Sequence, residues 1–367
     1  MNSAPRSTSL NQKKPERSMS AVHSDDVQWM AHAIELARNG LFTTKPNPRV
    51  GCVIVKNNQL LAEGFHKKPG EPHAEIVALH NLRNPADALG ATVYVTLEPC
   101  CHTGKTPPCT NALIQAKIKR VVYGMQDPNP QVAGQGLQQL RDAGIEVIGP
   151  VLEDDCRALN PGFIKRMQTG LPFVRCKLAM SLDGRTAMAN GESKWITGEA
   201  ARDDVQQLRA QSCAIITGIG TILKDDPALT VRSAKLPDAT KAKQPLRVVL
   251  DRQHRLPKTA AILQQPGETL VLDNTNDLRA VLKLLGDRQC NEILVEAGAI
   301  LAGAFVQQGL VDELVVYMAP TLLGNNARPL LQLPFDHMDQ QQRLQITDMR
   351  AIGSDWRITV KLLSRVS

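Results

Sequence analysis

The chain has few aromatic residues: Trp, Tyr and Phe together make up 3% of its 367 residues. Proteins that grip single strands or flipped bases add aromatic stacking platforms to a basic groove, so this scarcity argues against a nucleic-acid partner. No apolar run approaches the roughly 20 residues that span a bilayer. With 43% hydrophobic and 22% charged residues, a membrane protein is excluded. A signal-peptide pattern is missing as well, so the eight cysteines point to a reducing cytoplasm instead of a disulfide framework. Absent too is a complete G-x-G-x-x-G fingerprint, which leaves a Rossmann domain unsupported. Residues 1–23 lack apolar periodicity and are expected to form a disordered tail. A transit peptide is the alternative for that segment, against which stand its prolines and the lack of an amphipathic face. No internal repeat links the halves of the chain.

What is present begins with size. A chain of 367 residues exceeds one ordinary core, so two domains of about 150 to 200 residues are expected. Ser24-Asp25-Asp26 caps a helix whose Met30, Ala33, Ile34 and Ala37 share one face and which Gly40 closes. Strands follow at 50–55, 60–65, 91–97, 120–123 and 145–148, with helices at 73–80, from 110, at 136–143 and at 152–159. That alternation predicts a three-layer α/β sandwich. Asn160-Pro161-Gly162 and Thr169-Gly170-Leu171-Pro172 are the strongest breakers and put a boundary near residue 168, giving domains at 24–168 and 169–367. The second half restarts with a strand at 173–180. Further strands fall at 214–217, 246–250, 269–272, 292–295 and 313–318, with helices at 199–211, 278–285 and 301–308. With a terminal antiparallel pair at 344–347 and 356–362, this is a second α/β domain with a mixed sheet.

The chemistry concentrates between Pro72 and Cys109. Pro72-His73-Ala74-Glu75 is answered by Glu98-Pro99-Cys100 and Pro107-Pro108-Cys109. One imidazole and two thiolates form an N/S donor set that suits zinc, and three protein ligands leave the fourth position for a water, made a hydroxide near neutral pH. Glu75, two residues past His73, is then free to move that water's proton to a departing amine. H-x-E followed by P-C-x-x-C is the pattern of zinc nucleobase deaminases, from which this chain departs in its second half. Here the cysteines stand nine positions apart, and the insert carries Cys101, His102 and Lys105. Cys109 opens a predicted helix, whose N-terminus favours a thiolate. Adjacent side chains diverge, so Cys101 is not expected to share an ion with Cys100. His73, Cys100 and Cys109 are therefore the expected ligands, with a four-ligand structural zinc as the alternative reading.

Two places in the second half suit phosphate. Gly218-Ile219-Gly220-Thr221 leaves a strand through small residues, and Glu296-Ala297-Gly298-Ala299 turns from a strand into a helix N-terminus. Either is alternatively an ordinary turn. Arg209 and Arg232 are candidate phosphate clamps, a solvated helix charge being the other reading of Arg209. The formal charge of +7 suits an anionic ligand.

These blocks resemble one family over nearly the whole chain. Asn47-Pro48-Arg49-Val50-Gly51, Pro72-His73-Ala74-Glu75, Thr96-Leu97-Glu98-Pro99-Cys100, Thr106-Pro107-Pro108-Cys109, Gln126-Asp127-Pro128-Asn129-Pro130 and Asn160-Pro161-Gly162-Phe163 are similar to the bifunctional riboflavin-biosynthesis deaminase/reductases. So are Gly191-Glu192-Ser193-Lys194-Trp195, Asp225-Asp226-Pro227-Ala228-Leu229-Thr230-Val231-Arg232 and Val295-Glu296-Ala297-Gly298. The nine-residue cysteine spacing is itself a mark of that family. The resemblance implies a cytidine-deaminase-like three-layer α/β/α domain followed by a dihydrofolate-reductase-like α/β domain. It implies zinc-dependent removal of a ring amine from a phosphorylated diaminopyrimidinone, then NADPH-dependent reduction of its ribosyl group to a ribityl chain.

Carried over by resemblance, Asn47 holds the substrate; Lys105 in the insert is a candidate to offer charge to the ribose phosphate, with a solvated lysine as the other reading. Ala179, Trp195, Thr221, Asp225 and the run Gly298, Ala299, Ile300, Leu301, Ala302, Gly303, Ala304 contact NADPH. Ser193, Arg209, Leu229, Arg232 and Glu296 contact the sugar phosphate. Lys177 and Asp183, on the strand and turn beside it, are the candidate proton donors, with an ordinary Asp-Gly turn as the alternative for Asp183. One departure stands out: many relatives have Ser where this chain has Arg252. A homo-oligomer in the cytoplasm, with no nucleic-acid or membrane partner, is the expected setting. The rival reading, a nucleic-acid or nucleoside deaminase with an accessory binding domain, shares the zinc motif but gives no reason for two phosphate-like turns in the second half.

Overall fold

The computed structural model describes residues 22–102, 107–130, 132–273 and 277–363, and the structural statements below concern these. All but the last two residues of the expected tail lie outside them, as do Thr106 and Lys105 of the insert. Among the described residues, no helix is long and apolar enough to cross a membrane.

The N-terminal half begins with α1 (Ser24–Arg38), the hairpin β1 (Gly51–Lys56) and β2 (Gln59–Phe65), and α2 (Ala74–His80). Then come β3 (Thr92–Val95), α3 (Cys109–Gln115), β4 (Arg120–Tyr123), α4 (Gln135–Asp142) and β5 (Glu146–Ile148). The sheet order is β2-β1-β3-β4-β5. β1 is antiparallel to both neighbours, while β3, β4 and β5 run parallel because α3 and α4 provide the crossovers. Successive side chains of β1 feed opposite layers. Cys52 and Ile54 pack with Ala74 and Ala78 of α2 and Leu113 of α3, whereas Val53 and Val55 pack with Met30, Ala33 and Ile34 of α1. A strand buried on both faces reads as a continuous apolar run, and this is one. α1 lies so close to β1 that a Cβ at Gly51 would stand 2.0 Å from the Ala33 carbonyl oxygen.

α5 (Glu153–Leu159) and α6 (Pro161–Thr169) close this half. The Asn160-Pro161-Gly162 breaker thus separates two helices and does not end the helical segment. Pro161 sits in the first turn of α6, where its missing N–H is no loss. Buried Asn160 accepts from Arg49 N and donates to Arg49 O, at 2.8 and 2.9 Å.

The second half opens with β6 (Phe173–Ser181), β7 (Arg185–Ala187), α7 (Glu199–Gln211), β8 (Ala214–Gly218) and α8 (Ile219–Asp225). It continues through α9 (Asp238–Ala242), β9 (Leu246–Leu250), α10 (Ala261–Gln264), β10 (Thr269–Leu272), α11 (Leu278–Asp287), β11 (Glu292–Val295) and α12 (Ala299–Gln307). The last strands are β12 (Glu313–Ala319), β13 (Arg328–Pro329), β14 (Leu344–Ile352) and β15 (Asp355–Leu362). The main sheet has the order β10-β9-β8-β11-β6-β12-β15-β14. It is parallel through β12, and β15 and β14 complete it antiparallel. α11 and α12 cover one face and α7 the other. Gly218 ends β8 and is the N-cap of α8, and Ile219–Thr221 forms the first turn of that helix, because Ile219 and Ile222 at helical spacing find the core beside α7.

The two halves meet at the loop that carries Asn47. Lys45 Nζ donates to Ser212 O at 2.9 Å, Asn291 Nδ2 donates to Pro46 O at 2.7 Å, and Arg49 pairs with Glu292. Glu292 also accepts from Arg175 Nη1 at 2.6 Å. Burial alone would push the Glu292 carboxyl up, but the Arg49 and Arg175 guanidiniums overcome it and hold it down at about 2. A depressed folded-state value adds stability above the unfolded value of 4.5 and loses it as pH falls from there towards about 2. Glu292→Gln, which leaves two buried guanidiniums uncompensated, is expected to cost about 3–5 kcal/mol at neutral pH. Urea unfolding from pH 7 to pH 3 checks this: the gap between wild type and variant should close as pH falls below 4.5. A gap that stays constant with pH would contradict the assignment.

Candidate active sites

The first site is built from two helix N-termini and one strand exit. His73 is the N-cap of α2, Glu75 lies in its first turn, Cys109 opens α3, and Cys100 follows the end of β3 by five residues. His73 Nδ1 lies 3.5 Å from Cys100 Sγ and 3.3 Å from Cys109 Sγ. All three ligand atoms fall within 4.8 Å of one another. Tetrahedral zinc, with bonds of about 2.3 Å to sulfur and about 2.0 Å to nitrogen, has sulfur-to-nitrogen edges of about 3.5 Å, so the donor set fits this ion in size as well as in softness. Cys101 is no part of the cluster.

Electrostatics in the pocket follow from crowding. Hydrogen bonding from Cys109, and secondarily from His73, outweighs burial and pulls the Cys100 thiol down to about 4. Cys109, beside that thiolate, is pushed far up. The His73 imidazole is pushed up, first by its hydrogen bond with Cys100. Glu75 is 4% exposed. Burial, reinforced by the Cys100 charge, carries its carboxyl up to about 7. A bound dication acts in the opposite direction.

Glu98, part of the Glu98-Pro99-Cys100 motif, has a role with no counterpart in the sequence pattern. Its buried carboxylate accepts from the backbone N–H of Asp127, Gly134, Gly136 and Leu137, at 3.1, 2.9, 2.9 and 3.3 Å. It thereby caps α4 and pins the strand exit that carries Cys100. Gly136 is needed because a Cβ there would stand 2.1 Å from Pro99 O. The available sequence signal was a helix start at 134–137 with no Ser, Thr, Asp or Asn to cap it. Thr110 ties the other ligand in, with its N–H 3.2 Å from Cys100 O.

The second site is a cleft of about 1540 Å³ at the carboxyl ends of β8, β9 and β11, where open parallel sheets bind ligands. Lys177 and Ala179 of β6 line it, with Ser193 and Trp195 from the following loop and Thr221 and Asp225 from α8. Leu229, Arg232, Arg209 and Glu296 form another wall, and Gly298, Ala299, Ile300, Leu301 and Ala304 supply the α12 side. A Cβ added at Gly220 or Gly298 would meet no protein atom within 4 Å, which leaves room for a ligand against the backbone. Arg252 and Arg255 stand at the same cleft. Trp195 is 68% exposed and carries the Arg202 guanidinium 4.7 Å from its ring centroid.

Several expected contacts differ in detail. Arg209 is not a solvated helix charge: it is buried, and its guanidinium meets the Glu296 carboxylate in two bonds of 2.6 and 2.9 Å. Asp183 lies outside the cleft lining. Its carboxylate accepts from Ser181 Oγ, Leu323 N and Gly324 N, and these bonds hold it down at about 2. Ala302 belongs to the core under α12, and a Cβ at Gly303 would stand 2.2 Å from Gln332 O. Neither is part of the cleft lining. Lys177 is half-buried at the cleft, and desolvation lowers its pKa against the opposing pull of Glu296.

Comparison with known proteins adds independent findings. Residues 23–125 match the cytidine and deoxycytidylate deaminase zinc-binding region, and residues 172–358 match the RibD C-terminal domain. The riboflavin biosynthesis protein RibD of Escherichia coli is 49% identical over 360 residues, which cover 90% of this chain and 97% of that protein. Its Haemophilus influenzae counterpart is 47% identical over 363 residues, 92% of this chain and 97% of the relative. The solved structure of Acinetobacter baumannii RibD, 50% identical, aligns with a TM-score of 0.89 over 93% of this chain and 99% of that chain. A Thermotoga maritima diaminohydroxyphosphoribosylaminopyrimidine deaminase/5-amino-6-(5-phosphoribosylamino)uracil reductase, 33% identical, gives 0.85 over 92% and 99%. The N-terminal half thus has the cytidine-deaminase-like fold expected from the sequence, and the C-terminal half has the fold of the RibD C-terminal domain.

Proposed function

The chain belongs to the RibD family of riboflavin-biosynthesis deaminase/reductases, and from that premise we propose which residues carry each of its two reactions. The substrate is 2,5-diamino-6-(5-phosphoribosylamino)pyrimidin-4-one, as the name of the Thermotoga relative suggests. Water replaces the ring C2 amine, ammonia leaves, and reduction of the ribosyl group then gives 5-amino-6-(5-phosphoribitylamino)uracil.

For the first reaction, zinc held by His73, Cys100 and Cys109 would supply a water acidic enough to ionise near neutral pH. Glu75 is the proton carrier, taking a proton from the attacking water and delivering it to the departing amine. Asn47 holds the ring. The close approach of three soft donors beside a buried carboxylate is the single observation that carries this reading.

For the second, bound NADPH would supply the hydride. The backbone at Gly298 to Leu301 receives its phosphates at the N-terminus of α12, and Ala179, Trp195, Thr221, Asp225 and Ala304 flank it. Ala302 and Gly303 act through helix packing. Lys177, whose burial makes its ammonium readier to give up a proton, donates to the ribosyl group as C1′ is reduced. Arg232 is the phosphate contact, assisted by Ser193 and Leu229, and Arg209 orients Glu296. Lys177 is preferred over Asp183, whose carboxylate is ionised and hydrogen-bonded away from the cleft. On this reading the boundary between the two activities lies near residue 168 and the working form is a cytoplasmic homo-oligomer.

Incubation with the diaminopyrimidine, followed by mass analysis, tests the reading. Without NADPH the substrate should become heavier by about one mass unit as N–H is exchanged for O, and adding NADPH should add two hydrogens. An unchanged substrate would sink it.

A further inference from the structure

His66 follows β2, is 3% exposed, and has a hydrogen-bonding neighbour at each ring nitrogen. Nδ1 lies 3.1 Å from the Pro72 carbonyl oxygen, and Nε2 lies 3.0 Å from Asn47 Nδ2. The ring also stands edge-on to His73, with centroids 5.4 Å apart.

These contacts determine a proton order. A carbonyl oxygen can only accept, so Nδ1 carries the hydrogen. With the hydrogen on Nδ1, the Nε2 lone pair faces the Asn47 amide. Asn47 must then donate its NH2 to His66, which settles which end of the amide is turned away. Its backbone is fixed independently: Asn47 N donates to Thr44 O at 2.8 Å, and the neighbouring Pro46 O accepts from Asn291. Among the described residues, the Asn47 carbonyl oxygen has no protein partner, and it is not among the buried unpaired atoms.

We propose that His66 is a positioning residue for the deaminase, which holds Asn47 so that its amide oxygen accepts an N–H of the pyrimidine. The inference rests on the proposed role of Asn47 and deepens it. The site reads a hydrogen-bond donor on the substrate at this point, so a ring presenting a carbonyl there is discriminated against. His66 also joins Asn47 to the carbonyl immediately before His73, so the residue that orients the ring and the loop that carries a ligand share one imidazole.

Three variants test it: His66→Leu, which removes both bonds, His66→Gln, whose amide offers one donor and one acceptor, and Asn47→Ala. Each is assayed for zinc per chain, kcat and KM in ammonia release. His66→Leu should keep zinc and raise KM about tenfold with kcat within about twofold, the pattern of a lost uniform binding contact. His66→Gln should recover most of that loss. In the Asn47→Ala background neither change at His66 should raise KM further. Equal losses in His66→Leu and His66→Gln, or losses that add to Asn47→Ala, would overturn the proposal. Should His66→Leu lose zinc or fail to fold, the His66→Gln and Asn47→Ala cycle alone decides, by the same additivity criterion. Absence of ammonia release in the wild type would instead contradict the parent reading, whereas a wild-type deaminase indifferent to Asn47→Ala overturns this inference.

Discussion

Glu75→Gln is expected to retain one zinc per chain and to lose deamination by about 10²- to 10⁴-fold, the range for removing a positioned general acid/base. Glutamine keeps the size of the buried side chain and cannot accept the proton. Glu75 is not one of the three clustered ligands, so metal content should not change. Reduction, assayed with deaminated substrate supplied directly, should proceed at the wild-type rate, because Glu75 lies on α2 and the reductase cleft is lined entirely from residue 177 onwards. Parallel loss of both activities would mean that the substitution acts through the fold, and the proton-carrier role would have to be abandoned.

Lys177→Met should produce the mirror image. NADPH oxidation with deaminated substrate is expected to fall by about 10²- to 10⁴-fold, while ammonia release from the first substrate continues. The Lys177 ammonium, half-buried at the cleft, is destabilised by desolvation against the pull of the Glu296 charge, so it is readier to give up a proton. Methionine fills similar volume without the charge, and the melting temperature is expected to stay close to that of the wild type. Near-normal NADPH oxidation in this variant would reassign the proton donor to another group in the cleft.

How far the sequence could be read depended on whether the signal was local. α7 lies at Glu199–Gln211, where the helix was expected, because helical periodicity is contained within the segment itself. The same holds for β9 and β11, short apolar runs bounded by polar residues. The residues expected as ligands do come together, and for a similar reason: a helix start after Cys109 and the divergence of Cys100 from Cys101 are local facts. Glu98 and Arg209 were not legible, because their partners are remote in the chain. Glu98 caps a helix some 38 residues later, and Glu296 is 87 residues from Arg209, so burial and pairing appear only once the sheet is assembled. α8 was missed because glycines at 218 and 220 resemble a loop until Ile219 and Ile222 find a core. The Asn160–Pro161 breaker was recognised, but a proline in the first turn of a helix and one that ends a helix look alike in sequence. Contacts between the halves, including Arg49 with Glu292, had no local signature at all.

Zinc per chain, measured by atomic emission after dialysis in Cys100→Ser, Cys109→Ser and Cys101→Ser and paired with ammonia release, tests the central assignment most directly. Serine stays protonated at neutral pH and is a poor zinc ligand, so the first two variants should be metal-free and inactive as deaminases. Cys101→Ser should hold one zinc per chain and most of its activity, since Cys101 lies outside the cluster. A metal-free Cys101→Ser alongside a Cys109→Ser that keeps its zinc would contradict the account and move the third ligand into the insert.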